Sequence, residues 1–120
     1  IKCRTFYTKD DFTFTDKVPV CKCGGLIRPD VVWFGESLPG DVFSEGEKAA
    51  QWADILFVIG TSAVVYPAAY IPITAKQQGA AIVEINIEAT GLTSFADYSF
   101  FGKAGEVLPF ILNEVITARG

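Results

Sequence analysis

The chain has no histidine and no methionine, and only three of its 120 residues are cysteine. Without histidine, this chain cannot supply an imidazole base, so a histidine-dependent reaction would need a missing segment or another chain. Because no Met is present to begin it, we expect the chain to be the C-terminal part of a larger protein. An odd number of cysteines, two of them close together, favours metal binding over a disulfide framework.

The chain also lacks an excess of positive charge and a long apolar run. Its formal net charge is −4, which argues against a nucleic-acid surface. No apolar run reaches the roughly 18 residues that span a bilayer, and no signal peptide is recognisable. With half of its residues hydrophobic, the chain can bury the core of one domain. These features predict a soluble, cytoplasmic protein with no membrane partner.

Apolar runs and turn residues alternate along the chain and predict a mixed structure. They predict strands at 12–15, 31–34, 55–59, 81–87 and 98–101, and helices at 41–52, 67–78 and from about 108 to 119. The continuous apolar run at 55–59 indicates a buried parallel strand. Asp41 is the predicted cap of the first helix. The alternation predicts an α/β fold with a largely parallel sheet flanked by helices.

The three cysteines, Cys3, Cys21 and Cys23, predict a structural zinc site. Zinc prefers four ligands in a tetrahedron, and thiolates supply them in pairs. Three thiols leave one position open, and the fourth ligand could lie just before Ile1. The alternative is that the cysteines are free thiols, or that Cys21 and Cys23 form a redox pair.

Small and polar residues lie at the ends of three of the predicted strands, in the segments 60–62, 86–88 and 102–104. Ligands bind at the carboxyl ends of strands in open α/β sheets. Glycine lets the backbone approach a phosphate, and hydroxyl and N–H groups can hydrogen-bond it. We therefore expect the three segments to form one pocket shaped for a dinucleotide, the alternative being ordinary turns and helix caps.

Taken together, these motifs resemble the sirtuin family of NAD-dependent protein lysine deacylases. The strings that carry the resemblance are Cys21-Lys-Cys-Gly-Gly, RP-x-VVWFGE from Arg28, GTS-x-VV-x-PAA from Gly60, Asn86, and Gly102-Lys-Ala. The resemblance runs over essentially the whole chain. It implies that residues 1–25 are part of a small zinc-binding lobe and that residues 26–120 are the C-terminal part of a Rossmann-like NAD-binding domain.

The resemblance also implies roles for individual residues. The implied zinc ligands are Cys3, Cys21 and Cys23. The implied NAD-binding residues are Gly60, Thr61, Ser62, Asn86, Ile87, Glu88 and Ala104. The implied binding segment for the acyl-lysine peptide consists of Val31, Val32, Trp33, Phe34, Gly35 and Glu36. Trp33 and Phe34 would help to wall the lysine tunnel, unless they are core aromatics.

The chain departs from the family pattern because the first glycine-rich NAD loop, the Gln-Asn-x-Asp segment and the His-Gly base are absent. The resemblance therefore assigns no catalytic residue to this chain and implies that it is inactive without the N-terminal half of the same protein. The implied whole enzyme removes acetyl groups or succinyl groups from lysine, and it releases nicotinamide and O-acyl-ADP-ribose. The resemblance leaves the choice between the two acyl groups open. Two alternatives remain open: a non-catalytic domain that binds a nucleotide or ADP-ribose, and a zinc-ribbon interaction module.

Overall fold

A computed structural model describes residues 3–8 and 17–119 of the chain. The helices and strands of these residues are, in order, α1 (Gly40–Trp52), β1 (Ile55–Ile59), α2 (Tyr70–Gln77), β2 (Ala81–Asn86), β3 (Tyr98–Phe101) and α3 (Ala104–Arg119). The strand predicted at 12–15 lies outside the described residues. None of the described helices is long and apolar enough to cross a membrane.

Contacts divide the chain into two units, Ile1–Ser37 and Leu38–Gly120. The contacts thus group residues 26–37 with the first unit, whereas the sequence suggested a domain boundary after residue 25. The predicted boundary separates a zinc-binding lobe from a nucleotide-binding domain, which contacts alone do not define. It therefore stays a prediction.

The described part of the first unit has little regular structure. Val20 and Leu26 form an isolated antiparallel bridge, and the Cys21 N–H donates to the Gly25 carbonyl at 2.8 Å across the turn between them. The strand predicted at 31–34 is wrong. Its backbone finds no partner strand among the described residues, and the segment ends in a turn in which the Glu36 N–H donates to the Trp33 carbonyl.

The second unit contains a three-stranded sheet with the order β1-β2-β3, and both pairings are parallel. This confirms the predicted α/β fold with a parallel sheet flanked by helices. The central strand β2 is buried on both faces, as its residues Ile82, Val83, Glu84 and Ile85 show. The strand β1 is parallel, as predicted, but the described residues bury it only in part, because β1 is an edge strand and Phe57 is 45% exposed.

The three helices confirm the predicted order, but their starts differ in detail. The cap of α1 is Pro39, which offers no side-chain hydrogen bond, and Asp41 lies in the first turn, where its charge favours the helix dipole. Helix α2 begins at Tyr70, so that Pro72 falls in the first turn, where a missing N–H is tolerated.

Helix α3 begins at Ala104, about four residues before the predicted start, and contains Pro109 in its interior. A proline at this depth removes one hydrogen bond and strains the preceding turn, and the helix continues through it. No described residue of α3 is buried.

The core of the second unit is small and lies between β1, β2 and the first two helices. The buried residues of its main cluster are Ala50, Val58, Ala75, Ala80, Ile82 and Leu92. Half of this set is alanine, so the helices approach the sheet closely and each contact removes little apolar area from water.

Candidate nucleotide site and cysteine cluster

The three predicted nucleotide segments lie side by side at one edge of the sheet. The Gly60 N–H, just past β1, donates to the Ile85 carbonyl on β2 at 2.9 Å. The Gly102 N–H, just past β3, donates to the Asn86 carbonyl at 2.8 Å. Because all three strands are parallel, their carboxyl ends share this edge, which we call the rim (residues 60–62, 86–88 and 102–104). The structure thus brings the three segments together; nucleotide binding there stays a prediction.

Asn86 connects two of the segments through its side chain. Its Nδ2 donates to the Thr61 carbonyl at 2.9 Å, and its Oδ1 accepts from the Ile87 N–H at 2.9 Å. One amide group therefore fixes the loop after β1 and the start of the loop after β2. The sequence marked Asn86 as a possible contact to a ribose, and the structure adds that it holds the backbone of the rim.

The loop after β1 contains two residues with left-handed backbone. Gly60 has a φ of 64°, which glycine adopts without steric cost. Ala63 has a φ of 53°, which costs a residue with a Cβ about 1 kcal/mol. The Ala63 N–H donates to Thr61 Oγ1 at 3.1 Å, which supports this conformation. Sequence reasoning missed Ala63, since an alanine gives no signal for a positive φ.

The rim offers groups that suit a phosphate or a ribose. Thr61, Ser62, Ile87 and Glu88 are exposed, so that their hydroxyl, carboxylate and backbone groups are open to a ligand. Ala104 is half-buried at the start of α3, where the positive end of the helix dipole favours an anion. These residues form an open surface rather than an enclosed pocket within the described part of the chain.

A shallow cavity of about 270 Å³ lies on β1 and α2. Its lining includes Thr61 and Ala63 but no residue of the segments after β2 and β3. The single pocket predicted for all three segments is therefore not enclosed by the described residues, because β1 is an edge strand with no further strand beside it.

The three cysteines converge in the first unit. Their Sγ atoms all lie within 4.8 Å of one another, and those of Cys3 and Cys21 are 3.5 Å apart. Four thiolates around one zinc, with bonds of about 2.3 Å, have sulfur atoms about 3.8 Å apart. The cluster therefore fits three corners of a zinc tetrahedron, and no other metal-ligating side chain joins it in residues 3–8 and 17–119.

The surroundings of the cluster shift the pKa values of two of its thiols in opposite directions. Hydrogen bonds from the side chain and backbone of Thr5, and from the other two thiols, lower the pKa of Cys3 to about 6. The backbone N–H of Gly25 acts to lower the pKa of Cys23, but the thiols of Cys21 and Cys3 outweigh it and raise that pKa. A low thiol pKa favours the thiolate, which is the form that binds a metal.

Tyr7 is a member of this cluster that sequence reasoning missed. Its hydroxyl lies 3.1 Å from Cys21 Sγ, and this contact raises the pKa of Tyr7. A hydroxyl beside a metal-binding sulfur can orient the ligand and tune its basicity. The spacing of Tyr7 from the cysteines follows no metal-ligand pattern, so only the fold reveals the contact.

An ion pair fixes the predicted peptide-binding segment, residues 31–36. Arg28 donates from Nη1 to Glu36 Oε1 at 2.5 Å and from Nη2 to Glu36 Oε2 at 2.9 Å. Arg28 Nη2 also donates to the Val31 carbonyl at 2.7 Å, and the Trp33 N–H donates to Glu36 Oε2 at 3.1 Å. Glu36 therefore closes the segment on itself. Arg28 was not among the predicted site residues, although the opposite charges at the two ends of the motif are visible in the sequence.

The apolar side chains of this segment are exposed to solvent in the part of the chain that the structure describes. Val31, Val32 and Trp33 are about half exposed or more, and Phe34 is 93% exposed. Arg28 lies over the Trp33 ring at 5.6 Å, which orients that ring. Trp33 and Phe34 are thus not core aromatics in this chain, and their role at a lysine tunnel stays a prediction.

We expect the closed form of the segment to open in acid. Arg28 and the Trp33 N–H lower the pKa of Glu36 from its ordinary value of 4.5 to about 2. A lowered folded-state pKa means that the contribution of Glu36 is complete above 4.5 and is lost as the pH falls toward 2. In a Trp52→Phe background, the fluorescence of Trp33 should change in this range in the wild-type segment and be nearly flat in Glu36→Gln.

Glu45→Gln serves as the control for this titration, since Glu45 is exposed on α1 and no ion pair joins it to another described residue. It should keep the transition of the parent. Equal transitions in the parent and in Glu36→Gln would show that the ion pair does not hold the segment.

Comparison with known proteins extends these observations to a family. The sequence model of the Sir2 family matches residues 1–67, which is more than half of the chain. The NAD-dependent protein deacylase 2 of Pyrobaculum aerophilum is 51% identical over 116 residues, which cover 96% of this chain and 46% of that protein.

Solved structures agree with this match. A Sir2 homologue in complex with NAD has a TM-score of 0.87 at 46% identity, over 99% of this chain and 47% of that one. Sir2Tm bound to a propionylated peptide has a TM-score of 0.71 at 35% identity, over 81% of this chain and 41% of that one. The chain thus spans less than half the length of these relatives. On the family match, the identity and the shared fold together, the chain belongs to the Sir2 family.

Proposed function

We propose that the intact protein containing this chain is an NAD-dependent protein lysine deacylase. The observation that carries the proposal is the rim, where Asn86 ties together two strand-end loops that present hydroxyl, carboxylate and backbone groups. Its support is the likeness to a Sir2 homologue that was solved with NAD. The alternative is a non-catalytic domain that binds ADP-ribose at the same rim. Measurement of nicotinamide release distinguishes the two functions.

The residues of the rim would hold NAD by its polar groups. Thr61 and Ser62 would bind the phosphate and ribose region, and Asn86 and Glu88 the adenosine side, with Ala104 near the adenine. When bound, NAD supplies a nicotinamide leaving group and an ADP-ribose that accepts the acyl group. The contribution of this chain is to bind and orient, because it has no histidine to move a proton.

We propose the segment 31–36 as the site of the acyl-lysine peptide. Residues 31–33 belong to no helix or strand and have no partner strand among the described residues, so an added peptide strand could pair with their backbone. The ion pair of Arg28 and Glu36 would fix the shape of this segment, and because it occupies the Val31 carbonyl and the Trp33 N–H, the peptide would pair with the other backbone groups. The relative Sir2Tm, solved with a propionylated peptide, supports a substrate of this class.

We propose that Cys3, Cys21 and Cys23 bind a structural zinc ion. The support is the convergence of three sulfur atoms within 4.8 Å. No water-activating side chain accompanies the sulfurs in the described residues, so the ion would hold the fold of the lobe rather than take part in the reaction.

We propose that the N-terminal half of the same protein covers one face of the sheet. By strand register, this face carries Ile55, Phe57, Ile59, Val83, Ile85, Tyr98 and Phe100. Its residues on β1 and β3 are exposed in this chain, although large apolar patches are rarely left open on a soluble protein. The outer edge of β1 likewise has no partner strand in the described residues.

The activity is tested by following nicotinamide release from NAD and an acetyl-lysine peptide. We expect turnover from the intact protein and none from this chain alone. Addition of the separately produced N-terminal half should restore some turnover to the chain. Binding of ADP-ribose by the intact protein without any turnover would instead support the non-catalytic alternative.

Two finer properties stay predictions. The string VVWFGE indicates the branch of the family that also removes succinyl groups, and a panel of acetyl-lysine and succinyl-lysine peptides would decide the preference. The cytoplasmic location would be tested by fractionation of the source cells.

A further inference from the structure

The structure contains one buried carboxylate that the proposed function does not use. Glu84 lies in the middle of β2 and is 1% exposed. Its oxygens accept hydrogen bonds from Thr90 Oγ1 at 2.5 Å, Thr93 Oγ1 at 2.7 Å and Ser99 Oγ at 2.9 Å. No lysine or arginine pairs with it in the described part of the chain. Three hydroxyl groups therefore take the place of a countercharge.

The two threonine hydroxyls transmit this interaction to the backbone. Thr93 Oγ1 donates to Glu84 and accepts from the Thr90 N–H at 2.8 Å. Thr90 Oγ1 donates to Glu84 and accepts from the Leu92 N–H at 3.1 Å. Each hydroxyl has one proton, so this pattern needs an acceptor at position 84 that does not itself donate.

The ionised carboxylate is the form that meets this requirement. Burial acts to raise the pKa of Glu84, but the hydrogen bonds from Thr90, Thr93 and Ser99 outweigh it and hold the pKa below its ordinary value. The carboxylate therefore accepts all three hydrogen bonds at neutral pH.

The anchored threonines lie directly after the predicted nucleotide residues. The hydrogen bond between Glu84 and Thr90 spans six residues along the chain, and Ile87 and Glu88 lie between its ends. Asn86 fixes the near side of this loop, and Glu84 fixes the far side through Thr90 and Thr93. Ile87 and Glu88 themselves are exposed, so their position depends on these two anchors.

We propose that Glu84 is a positioning residue for the nucleotide site. It holds the loop that carries Ile87 and Glu88 in its binding conformation, without touching the nucleotide. This inference rests on the proposed function of the rim. Its physical reason is that a loop ordered before binding loses less conformational entropy when the ligand arrives.

The test compares Glu84→Gln, Thr93→Val and the control Glu114→Gln in the intact protein. The glutamine keeps the shape of Glu84 but replaces one acceptor by a donor, and the valine removes one hydroxyl at nearly constant volume. Glu114 is exposed on α3. We would measure kcat, the KM for NAD, the KM for the peptide, and the Kd for ADP-ribose by calorimetry.

For Glu84→Gln we expect the KM for NAD and the Kd for ADP-ribose to rise about ten-fold, as for a buried group left without its partner. For Thr93→Val we expect a rise of about three-fold. In both variants kcat and the peptide KM should change by less than about two-fold, and Glu114→Gln should match the wild type.

Three results would count against the proposal. A lower Tm with an unchanged KM for NAD in both variants would show that Glu84 is only structural and overturn the inference. If Glu84→Gln does not fold, an unchanged Kd for ADP-ribose in Thr93→Val would overturn it as well. If the wild-type protein binds neither NAD nor ADP-ribose, the proposed function itself fails, and this inference fails with it.

Discussion

Replacing Cys21 by Ser should reduce the zinc content of the intact protein from about one ion per chain to nearly none. Cys21 lies at the centre of the cluster, 3.5 Å from Cys3 and in contact with Tyr7. A structural zinc ion contributes about 10 kcal/mol or more to the folding of a small domain, so the effect on the lobe should be large. Metal analysis by mass spectrometry and thermal unfolding would measure both effects.

Lys22→Ser is the matched control for this variant. Lys22 is exposed and lies between two of the cysteines. Its replacement introduces a serine in the same turn without removing a thiol. It should keep its zinc and its Tm, and treatment of the wild type with a strong chelator should reproduce the Cys21→Ser variant. If Cys21→Ser keeps both its zinc content and its Tm, the cluster is not a zinc site.

Replacing Phe57 by Glu should destabilise the intact protein strongly and leave the folding of this chain alone nearly unchanged. Phe57 lies on the apolar face of the sheet and is 45% exposed here. If the N-terminal half covers this face, the new carboxylate is buried without a partner, which should destabilise the intact protein by about 3 kcal/mol or more. Chemical unfolding would measure this loss.

In the isolated chain the same change should leave folding nearly unaffected and raise solubility, because the charge stays in water and interrupts an apolar patch. Gln77→Glu is the control, since it adds the same charge at an exposed position of α2. It should be nearly neutral in both forms. A Phe57→Glu intact protein as stable as the wild type would show that this face remains open.

The parts of the fold that the sequence predicted correctly depend on local signals. The strands β1 and β3 are short apolar runs that end at Gly60 and Gly102, and the structure places them as predicted. The meeting of the strand ends at the rim could also be predicted, because it follows from parallel pairing alone.

The parts that could not be predicted depend on partners distant in the sequence. The run at 31–34 has the composition of a strand, but a strand also needs a neighbour, which the described residues do not supply. In the sequence, Glu84 is a charged residue in an apolar strand with no visible partner. The strand register supplies one, because it places Ser99 beside Glu84. The pairing of Arg28 with Glu36 depends in the same way on a turn between them.

The left-handed backbone of Ala63 sets two demands on the protein against each other. Substitution by glycine would release the steric cost of a φ of 53°, and would equally allow the loop to sample other shapes. Glycine also gains freedom in the unfolded chain, which opposes this relief, so the net change in stability is the small difference of two terms. The Cβ of Ala63 disfavours the conformation that it adopts, so the loop depends on the hydrogen bonds of Thr61 and Asn86 to keep it.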